Sequence, residues 1–285
     1  MVLLKAMPAP IIVKGDGTKE PFDIEKLIRS LKRSGAPSDV ATKTAEDVAQ
    51  KIRSAMTTTE IYRNAYKLLK KRERSMAARY SMRRAILELG PTGFPFEDYF
   101  CELMRAYGYQ TEVRQVIEGR CSEHEVDVVI RKENENIGAE LKFHNAPGFK
   151  TDLKTALYVR ARFWDIEYGA EDRGETCAID QPWLVTNTKF TKSTIKYAEC
   201  AGLTLLGWSY PSDKNLGDMI KETGVYPVTV LSSLSKSEKA RLLEQGVTLC
   251  SMIAQNNDAL KAAGITRRKH ADIISESISL CGGNA

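Results

Sequence analysis

The segment from Glu125 to His144 constrains the fold most, because apolar and polar side chains alternate in both of its halves. Alternate positions hold the apolar residues Val126, Val128 and Ile130 in the first half and Ile137, Ala139, Leu141 and Phe143 in the second. A period of two is typical of a half-buried β-strand. A polar run at residues 132–135 separates the halves, so the segment predicts an antiparallel β-hairpin.

The pairing of this hairpin decides which of its charged side chains meet. If residues 132–135 form a four-residue loop, Arg131 pairs with Asn136 and Asp127 lies opposite Glu140. Directly opposed residues of an antiparallel pair point to the same face of the sheet. The two carboxylates are therefore expected side by side.

Lys142 follows Glu140 by two residues and shares its face, so an ammonium group joins the two carboxylates. Such a trio suits phosphodiester hydrolysis. Carboxylates bind Mg²⁺, which stabilises the developing charge on phosphate and lowers the pKa of a bound water, while the lysine orients that water. The alternative is an amphipathic hairpin whose solvent-facing side happens to be charged.

The spacing of Asp127, Glu140 and Lys142 (D-x12-E-x-K) resembles the PD-(D/E)XK nuclease motif. Upstream, residues 95–109 predict a helix that in this superfamily often contributes another acid, here Glu97. Downstream, residues 182–208 resemble the end of the Mrr-like restriction endonuclease domain. The resemblance covers about residues 91–210, and it departs from many Mrr-like members in having glutamate rather than glutamine at position 140 and HEVD rather than a glycine-rich GVD.

That resemblance implies a Mg²⁺- or Mn²⁺-dependent DNA endonuclease of restriction or phage-defence type acting on double-stranded DNA. It implies Asp127 and Glu140 as metal ligands, and Lys142 and Glu97 as further catalytic residues. Two alternatives stay open. The chain could be a non-catalytic, nucleotide-sensing DNA-binding regulator, or a structural or interaction protein.

The charge of the chain is unevenly distributed. Its net charge is +5, and residues 1–90 carry 19 Lys and Arg against 10 Asp and Glu. Residues 91–221 carry 16 against 21, and residues 222–285 carry 7 against 6. Polyanion binding is therefore expected first in the N-terminal part.

Composition sets further bounds on the class of protein. No apolar run approaches the length of a membrane span, and the first residues do not form a signal peptide. Six cysteines without a Cys-x-x-Cys pair, together with three histidines, argue against a zinc site. We expect a cytoplasmic protein with reduced thiols and no membrane contact.

The N-terminal part predicts a hairpin that turns at residues 15–17, followed by a helix capped by Asp23 and ended by Gly35. A TTTEIY segment then begins another helix at about residue 57. This order resembles the ATP-cone domain over about residues 10–90. Gly15 departs from the family, since most cones have arginine there.

The ATP-cone resemblance implies an ATP or dATP site. Its expected residues are Lys14 near phosphate or base, Glu20 and Asp23 near ribose or base, Lys26 on the phosphates, and Thr58 and Tyr62 lining the pocket. Two lysines beside a hairpin would help to hold a triphosphate, whereas surface charges on a small helical domain are the plain alternative. The chain has no GxxxxGK[ST] loop, so the nucleotide is expected to regulate rather than to be hydrolysed.

Two further segments are candidates for contact with DNA. A helix predicted over residues 149–168 carries Lys154, Arg160 and Arg162, which could follow the DNA backbone. The C-terminal part has short helices and Gly-hydrophobe turns, which resembles a helix-hairpin-helix domain, and the basic residues Arg267, Arg268 and Lys269 follow its second turn. Ordinary helix charge and protein docking are the respective alternatives.

The fold class expected is therefore multidomain α/β. A helical ATP-cone with a small β-hairpin occupies residues 1–90, a restriction-endonuclease-like α/β/α core with a mixed sheet occupies 91–221, and a small all-α domain occupies 222–285. A homo-oligomer, a dimer or larger, is expected because such nucleases often need two active sites to cut both strands.

Overall fold

The structure is a computed structural model that describes residues 9–133, 135–256 and 258–281. The chain divides into two compact units, with the division between Met82 and Arg83. The first unit contains β1 (Ile11–Val13), β2 (Lys19–Pro21), α1 (Ile24–Arg33), α2 (Ser38–Ala49) and α3 (Thr58–Arg72), and α4 (Arg74–Leu87) spans the division.

The elements of the first unit follow the predicted order. β1 and β2 form an antiparallel hairpin whose turn includes Gly17 with a φ of 82°. Asp23 caps α1 by accepting hydrogen bonds from the backbone amides of Glu25 and Lys26 at 2.9 and 3.2 Å. Helices α1, α2 and α3 bury a common core in which Leu31, Val48 and Leu69 are fully buried. The hairpin and the capped helix are thus confirmed.

The second unit begins with a mixed α/β segment. Its elements are α5 (Phe94–Ala106), β3 (Gln110–Glu118), β4 (Glu123–Lys132), β5 (Glu135–Lys142), β6 (Lys150–Thr151), α6 (Leu153–Arg173), β7 (Gln181–Thr186), β8 (Lys189–Phe190), α7 (Lys192–Ala201) and β9 (Thr204–Leu206). The five-stranded sheet has the order β3-β4-β5-β7-β9. β4 is antiparallel to both β3 and β5, whereas β7 pairs parallel with β5 and β9 pairs parallel with β7. The mixed sheet expected from the sequence is confirmed.

The predicted hairpin register is present between β4 and β5. Arg131 pairs with Asn136, and Val128 pairs with Ala139. The pairing ends there, so Asp127 and Glu140 are each the next residue beyond the last pair, and they are close enough for the charge of Asp127 to raise the pKa of Glu140. The connection is shorter than predicted, because Lys132 and Glu135 also pair. The strands therefore extend to leave two connecting residues rather than four.

α6 packs onto the sheet at a position that only a small residue permits. A Cβ atom on Gly138 of β5 would lie 2.5 Å from Phe163 Cε1 and 2.8 Å from Ile179 Cγ2. Real side chains do not approach so closely, and glycine therefore lets the Phe163 ring of α6 rest against the strand that carries Glu140. This packing fixes the next residue of α6 toward the N-terminus, Arg162, near the hairpin.

The remainder of the second unit is helical. Its helices are α8 (Leu216–Thr223), α9 (Lys236–Glu244), α10 (Cys250–Gln255), α11 (Asp258–Ala262) and α12 (His270–Cys281), with short 3-10 turns at Val228–Val230 and Arg267–Lys269. α10 and α12 are joined by a disulfide between Cys250 and Cys281. The expectation that all thiols are reduced is therefore wrong, because the packing of these helices brings together two cysteines that lie 31 positions apart. Among the helices that the structure describes, none combines the length and apolar character needed to cross a bilayer.

Candidate functional site

Asp127 and Glu140 lie side by side on β4 and β5, and each carboxylate has a partner. Asp127 Oδ2 accepts a hydrogen bond from the backbone amide of Leu141 at 2.7 Å. Glu140 Oε2 forms an ion pair with Nη1 of Arg162 from α6. Both side chains of that pair are largely buried, at 19% and 12% exposure. The hairpin therefore presents two shielded carboxylates with an arginine against them.

Glu97 reaches the same site from α5, held by an arginine that the sequence does not single out. Arg114 donates from Nη1 to Glu97 Oε2 at 2.8 Å and from Nη2 to Asp98 Oδ1 at 3.0 Å. Its backbone has a φ of 51°, a left-handed conformation that is uncommon for a residue with a side chain. Arg114 interrupts the pairing of β3 opposite Asp127. The irregular strand thus turns a guanidinium toward α5 and fixes Glu97.

The three carboxylates lie close enough to affect one another electrostatically. Burial raises the pKa of Glu140 to about 7, and the negative charges of Asp127 and Glu97 add to the rise, while Arg162 opposes it. The pKa of Asp127 is also raised by burial, against the Leu141 hydrogen bond. Burial raises the pKa of Glu97, and Arg114 opposes that rise. The site therefore concentrates negative charge in a poorly solvated place.

Lys142 stands at the edge of this group. Its side chain is exposed. Its charge lowers the pKa of Glu140, and it adds to the effect of burial in lowering the pKa of His144. The structure therefore places Asp127, Glu140 and Lys142 together, as the hairpin register predicts, with Glu97 beside them.

The carboxylates of this arrangement are paired with other groups of the protein and do not form a preformed divalent-cation site among the described residues. Within residues 9–133, 135–256 and 258–281, no three Asp, Glu, His or Cys side chains form a group that could hold a metal ion. Glu140 forms an ion pair with Arg162, and Glu97 forms one with Arg114. Asp127 accepts a hydrogen bond from a backbone amide. Guanidinium groups thus supply the positive charge that a metal would otherwise contribute here.

The raised pKa of Glu140 predicts how stability depends on pH. The folded protein holds this proton up to about pH 7, whereas an ordinary glutamate releases it near 4.5. The free energy of unfolding should therefore fall as pH rises from 4.5 to 7, by about 3 kcal/mol from this group. Urea unfolding in the presence of chelator measures the free energy of unfolding of wild type and of Glu140→Gln. The gap between these two values should move in favour of the variant as pH rises from 4.5 to 7. A gap that stays constant with pH would contradict the assignment.

A second cluster of charged residues lies in the first unit, between the β1-β2 hairpin and α1. Glu20 Oε2 lies 2.7 Å from Lys14 Nζ and 3.2 Å from Lys26 Nζ. Glu20 bridges the two ammonium groups, and it holds them together on an exposed surface. Hydrogen bonding to Lys14 is the largest cause of the lowered pKa of Glu20. The structure thus brings together three of the six residues that the cone resemblance assigns to the nucleotide site.

The other predicted cone residues have the following places. The backbone amide of Val13 donates to Met56 O at 3.0 Å, which sets the start of α3, including Thr58, beside β1. Tyr62 follows Thr58 by one helical turn and stacks on Tyr80 at 5.1 Å between ring centroids. Asp23 acts as the α1 cap, so its carboxylate already accepts backbone hydrogen bonds.

The predicted DNA contacts fall on two kinds of surface. Lys154, Arg267 and Arg268 are exposed. Arg160 donates from Nε to Ala201 O at 2.7 Å, and Lys269 lies 2.7 Å from the shielded Glu238 carboxylate. The charges of three of these residues are therefore exposed to solvent, namely those of Lys154, Arg267 and Arg268. The other two, Arg160 and Lys269, form contacts within the protein. DNA contact by all five stays a prediction.

Sequence reasoning missed the arginines that complete the hairpin site. The sequence offers Arg162 only as a candidate for DNA contact, whereas in the structure it pairs with Glu140 and its Nη2 donates to the hydroxyl of Tyr158. That this position of α6 reaches Glu140 could have been found only with the register of α6 on the sheet. Arg114 carries no sequence signal, because its role depends on a left-handed backbone that no glycine marks.

Comparisons with known proteins describe both ends of the chain. A family model for the ATP cone domain matches residues 10–88, and one described as AF1548-like, C-terminal, matches residues 226–281. An uncharacterized protein of Archaeoglobus fulgidus is 35% identical over 181 residues, which are 63% of this chain and 98% of the relative. The crystal structure of the protein of unknown function AF1548 is 33% identical, with a TM-score of 0.55 over 67% of this chain and 100% of that one. The cone match confirms the N-terminal resemblance and indicates nucleotide-sensing regulation.

Proposed function

The chain belongs to the AF1548-like family, and for this member we propose a DNA endonuclease whose activity is controlled by an adenine nucleotide. The hairpin site would hydrolyse phosphodiester bonds in double-stranded DNA, in a restriction or phage-defence setting. The first unit would bind ATP or dATP as a regulator.

One observation supports the nuclease most. Asp127 and Glu140 lie on neighbouring antiparallel strands, each one position beyond the paired Val128 and Ala139, and Glu97 reaches them from the preceding helix. The order of α5, the β3-β4-β5 meander, α6 and the parallel strand β7 is also the order expected of a PD-(D/E)XK core. An amphipathic hairpin with an ordinary solvent face would not shield both carboxylates and gather a third beside them.

The charged residues of the site have distinct tasks in this proposal. Arg162 and Lys142 supply positive charge for an approaching phosphate, and such preorganised charge stabilises a transition state where it develops. Glu97 is held in place by Arg114. A requirement for Mg²⁺ or Mn²⁺ belongs to the proposal on the strength of the motif alone, with Asp127 and Glu140 as the residues that would hold the ion.

Control by nucleotide follows from the pairing of the two units in one chain. The cone has no hydrolytic motif, so its ligand matters by favouring one arrangement of the protein over another. We propose that ATP or dATP shifts an oligomer equilibrium and so alters cleavage of both DNA strands.

The second candidate function is a non-catalytic, nucleotide-sensing regulator that binds DNA. The ion pair between Arg162 and Glu140 favours it, because a carboxylate already neutralised by arginine has less capacity for chemistry. In that case the hairpin would be a structural remnant or a DNA-binding surface.

Incubation of supercoiled plasmid with the purified chain separates the two functions. The nuclease predicts nicked and linear products with Mg²⁺ or Mn²⁺ and none with chelator. The regulator predicts a mobility shift of the DNA without product in any condition. Plasmid that stays intact with both cations, at protein concentrations that shift its mobility, would eliminate the nuclease.

A further inference from the structure

α6 is a 21-residue helix with two apolar faces, only one of which is covered. Its buried face packs on the sheet through Ala156, Val159, Phe163, Ile166 and Ala170. Its other face leaves Leu157 47%, Trp164 37% and Tyr168 45% exposed. Single exposed apolar residues are ordinary, but a contiguous row of them marks an interaction surface.

The exposed residues have the spacing of a coiled-coil seam. We call the following six the α6 stripe, whose members are separated alternately by three and four positions: Lys154, Leu157, Ala161, Trp164, Tyr168 and Glu171. Positions with this spacing lie along one side of a helix and pack against a second helix. The four central members are apolar, and the two ends carry opposite charges.

The stripe is complementary to itself in one direction only. If two copies of α6 run antiparallel with Leu157 opposite Tyr168, the same register sets Ala161 opposite Trp164. The large indole then lies against the smallest member of the stripe. The register also sets Lys154 opposite Glu171 at both ends. In a parallel pair each charge would instead meet its own copy.

The ring of Trp164 is ordered by a contact with Arg160 on the same helix. The Arg160 guanidinium lies 4.6 Å from the centre of the Trp164 ring. Arg160 is itself fixed by its hydrogen bond to the backbone oxygen of Ala201. A large aromatic ring that is ordered before binding loses little conformational freedom on association, which is typical of residues that dominate interfaces.

We infer that the α6 stripe is the interface of a homodimer, formed when α6 packs antiparallel on α6 of a second copy of this chain. The two-fold axis of this dimer crosses the stripe at the level midway between positions 162 and 163 along the helix, and it relates the two hairpin sites. In this arrangement Lys154 faces the partner rather than DNA. The dimer requires no nucleotide and no catalysis.

Sedimentation velocity in nucleotide-free buffer tests the interface directly. Wild type should approach twice the chain mass of 31.8 kDa as its concentration rises. Trp164→Glu should sediment as a monomer. Val116→Glu is the matched control, because Val116 is 63% exposed on β3, outside the stripe, and that variant should still dimerise.

A charge exchange tests the antiparallel register without relying on loss of the dimer alone. Lys154→Glu and Glu171→Lys should each raise the dimer dissociation constant about tenfold, since attraction becomes repulsion at both ends. The double variant should return it to near the wild-type value. A wild type that is monomeric at every concentration, a Trp164→Glu protein that still dimerises, or a double variant no better than the single ones would overturn the inference.

Discussion

Asp127→Asn and Glu140→Gln are each expected to reduce plasmid cleavage by at least about 100-fold, the order of loss when one preorganised charge is removed from an active site. Both substitutions keep the size of the side chain and an oxygen that can accept the existing hydrogen bonds. They remove only the negative charge. The rate of nicking, measured with enzyme in excess over DNA, reports this loss without the contribution of product release.

Binding should survive these substitutions, because the carboxylates repel phosphate rather than attract it. Lys142→Ala should also abolish cleavage, and Glu97→Ala should have a smaller effect since Glu97 is tied to Arg114 at the margin of the site. Glu123→Gln is the matched control, an exposed glutamate on the same strand as Asp127. If Glu140→Gln cuts at the wild-type rate, the hairpin is not the catalytic site.

Replacing both Lys14 and Lys26 with alanine should weaken binding of ATP and dATP by at least about 100-fold. Each ammonium group can make charge-assisted hydrogen bonds to phosphate, which contribute roughly 1.5–3 kcal/mol apiece. Both lysines lie within 3.2 Å of the same Glu20 oxygen, so they can face one triphosphate together. Calorimetric titration of nucleotide into wild type and the double variant measures the loss.

Lys19→Ala provides the control for this experiment, because Lys19 is an exposed lysine on the same hairpin and makes no contact with Glu20 among the described hydrogen bonds and ion pairs. It should bind nucleotide as the wild type does. Retention of tight binding by the Lys14 and Lys26 double variant would place the nucleotide elsewhere. Cleavage without nucleotide should stay unchanged, since neither lysine belongs to the hairpin site.

Local patterns explain why the hairpin could be predicted. Alternation of apolar residues fixes which side chains share a face, and a one-residue slip would turn the whole set outward. The pairing of Arg131 with Asn136 therefore follows from the sequence, and so does the proximity of Asp127 and Glu140. The cap at Asp23 follows in the same way, because a helix start is a short-range feature.

Partners supplied by distant elements could not be predicted. Arg162 meets Glu140 only because Gly138 lets α6 lie close to β5, and Arg114 meets Glu97 only through a left-handed residue in β3. The disulfide between Cys250 and Cys281 depends likewise on the packing of two helices. Sequence patterns specify faces and turns, whereas these contacts depend on how separate elements pack.

The rate of plasmid cleavage by wild type at saturating Mg²⁺, measured with no nucleotide, with ATP and with dATP, tests a nucleotide-controlled nuclease most directly. We predict cleavage, and a change of about tenfold or more with at least one nucleotide, which corresponds to a difference of about 1.4 kcal/mol in nucleotide affinity between two states of the protein. Intact plasmid in all three conditions would contradict the nuclease. Equal rates in all three, for protein shown to bind the nucleotide, would contradict its control by the cone.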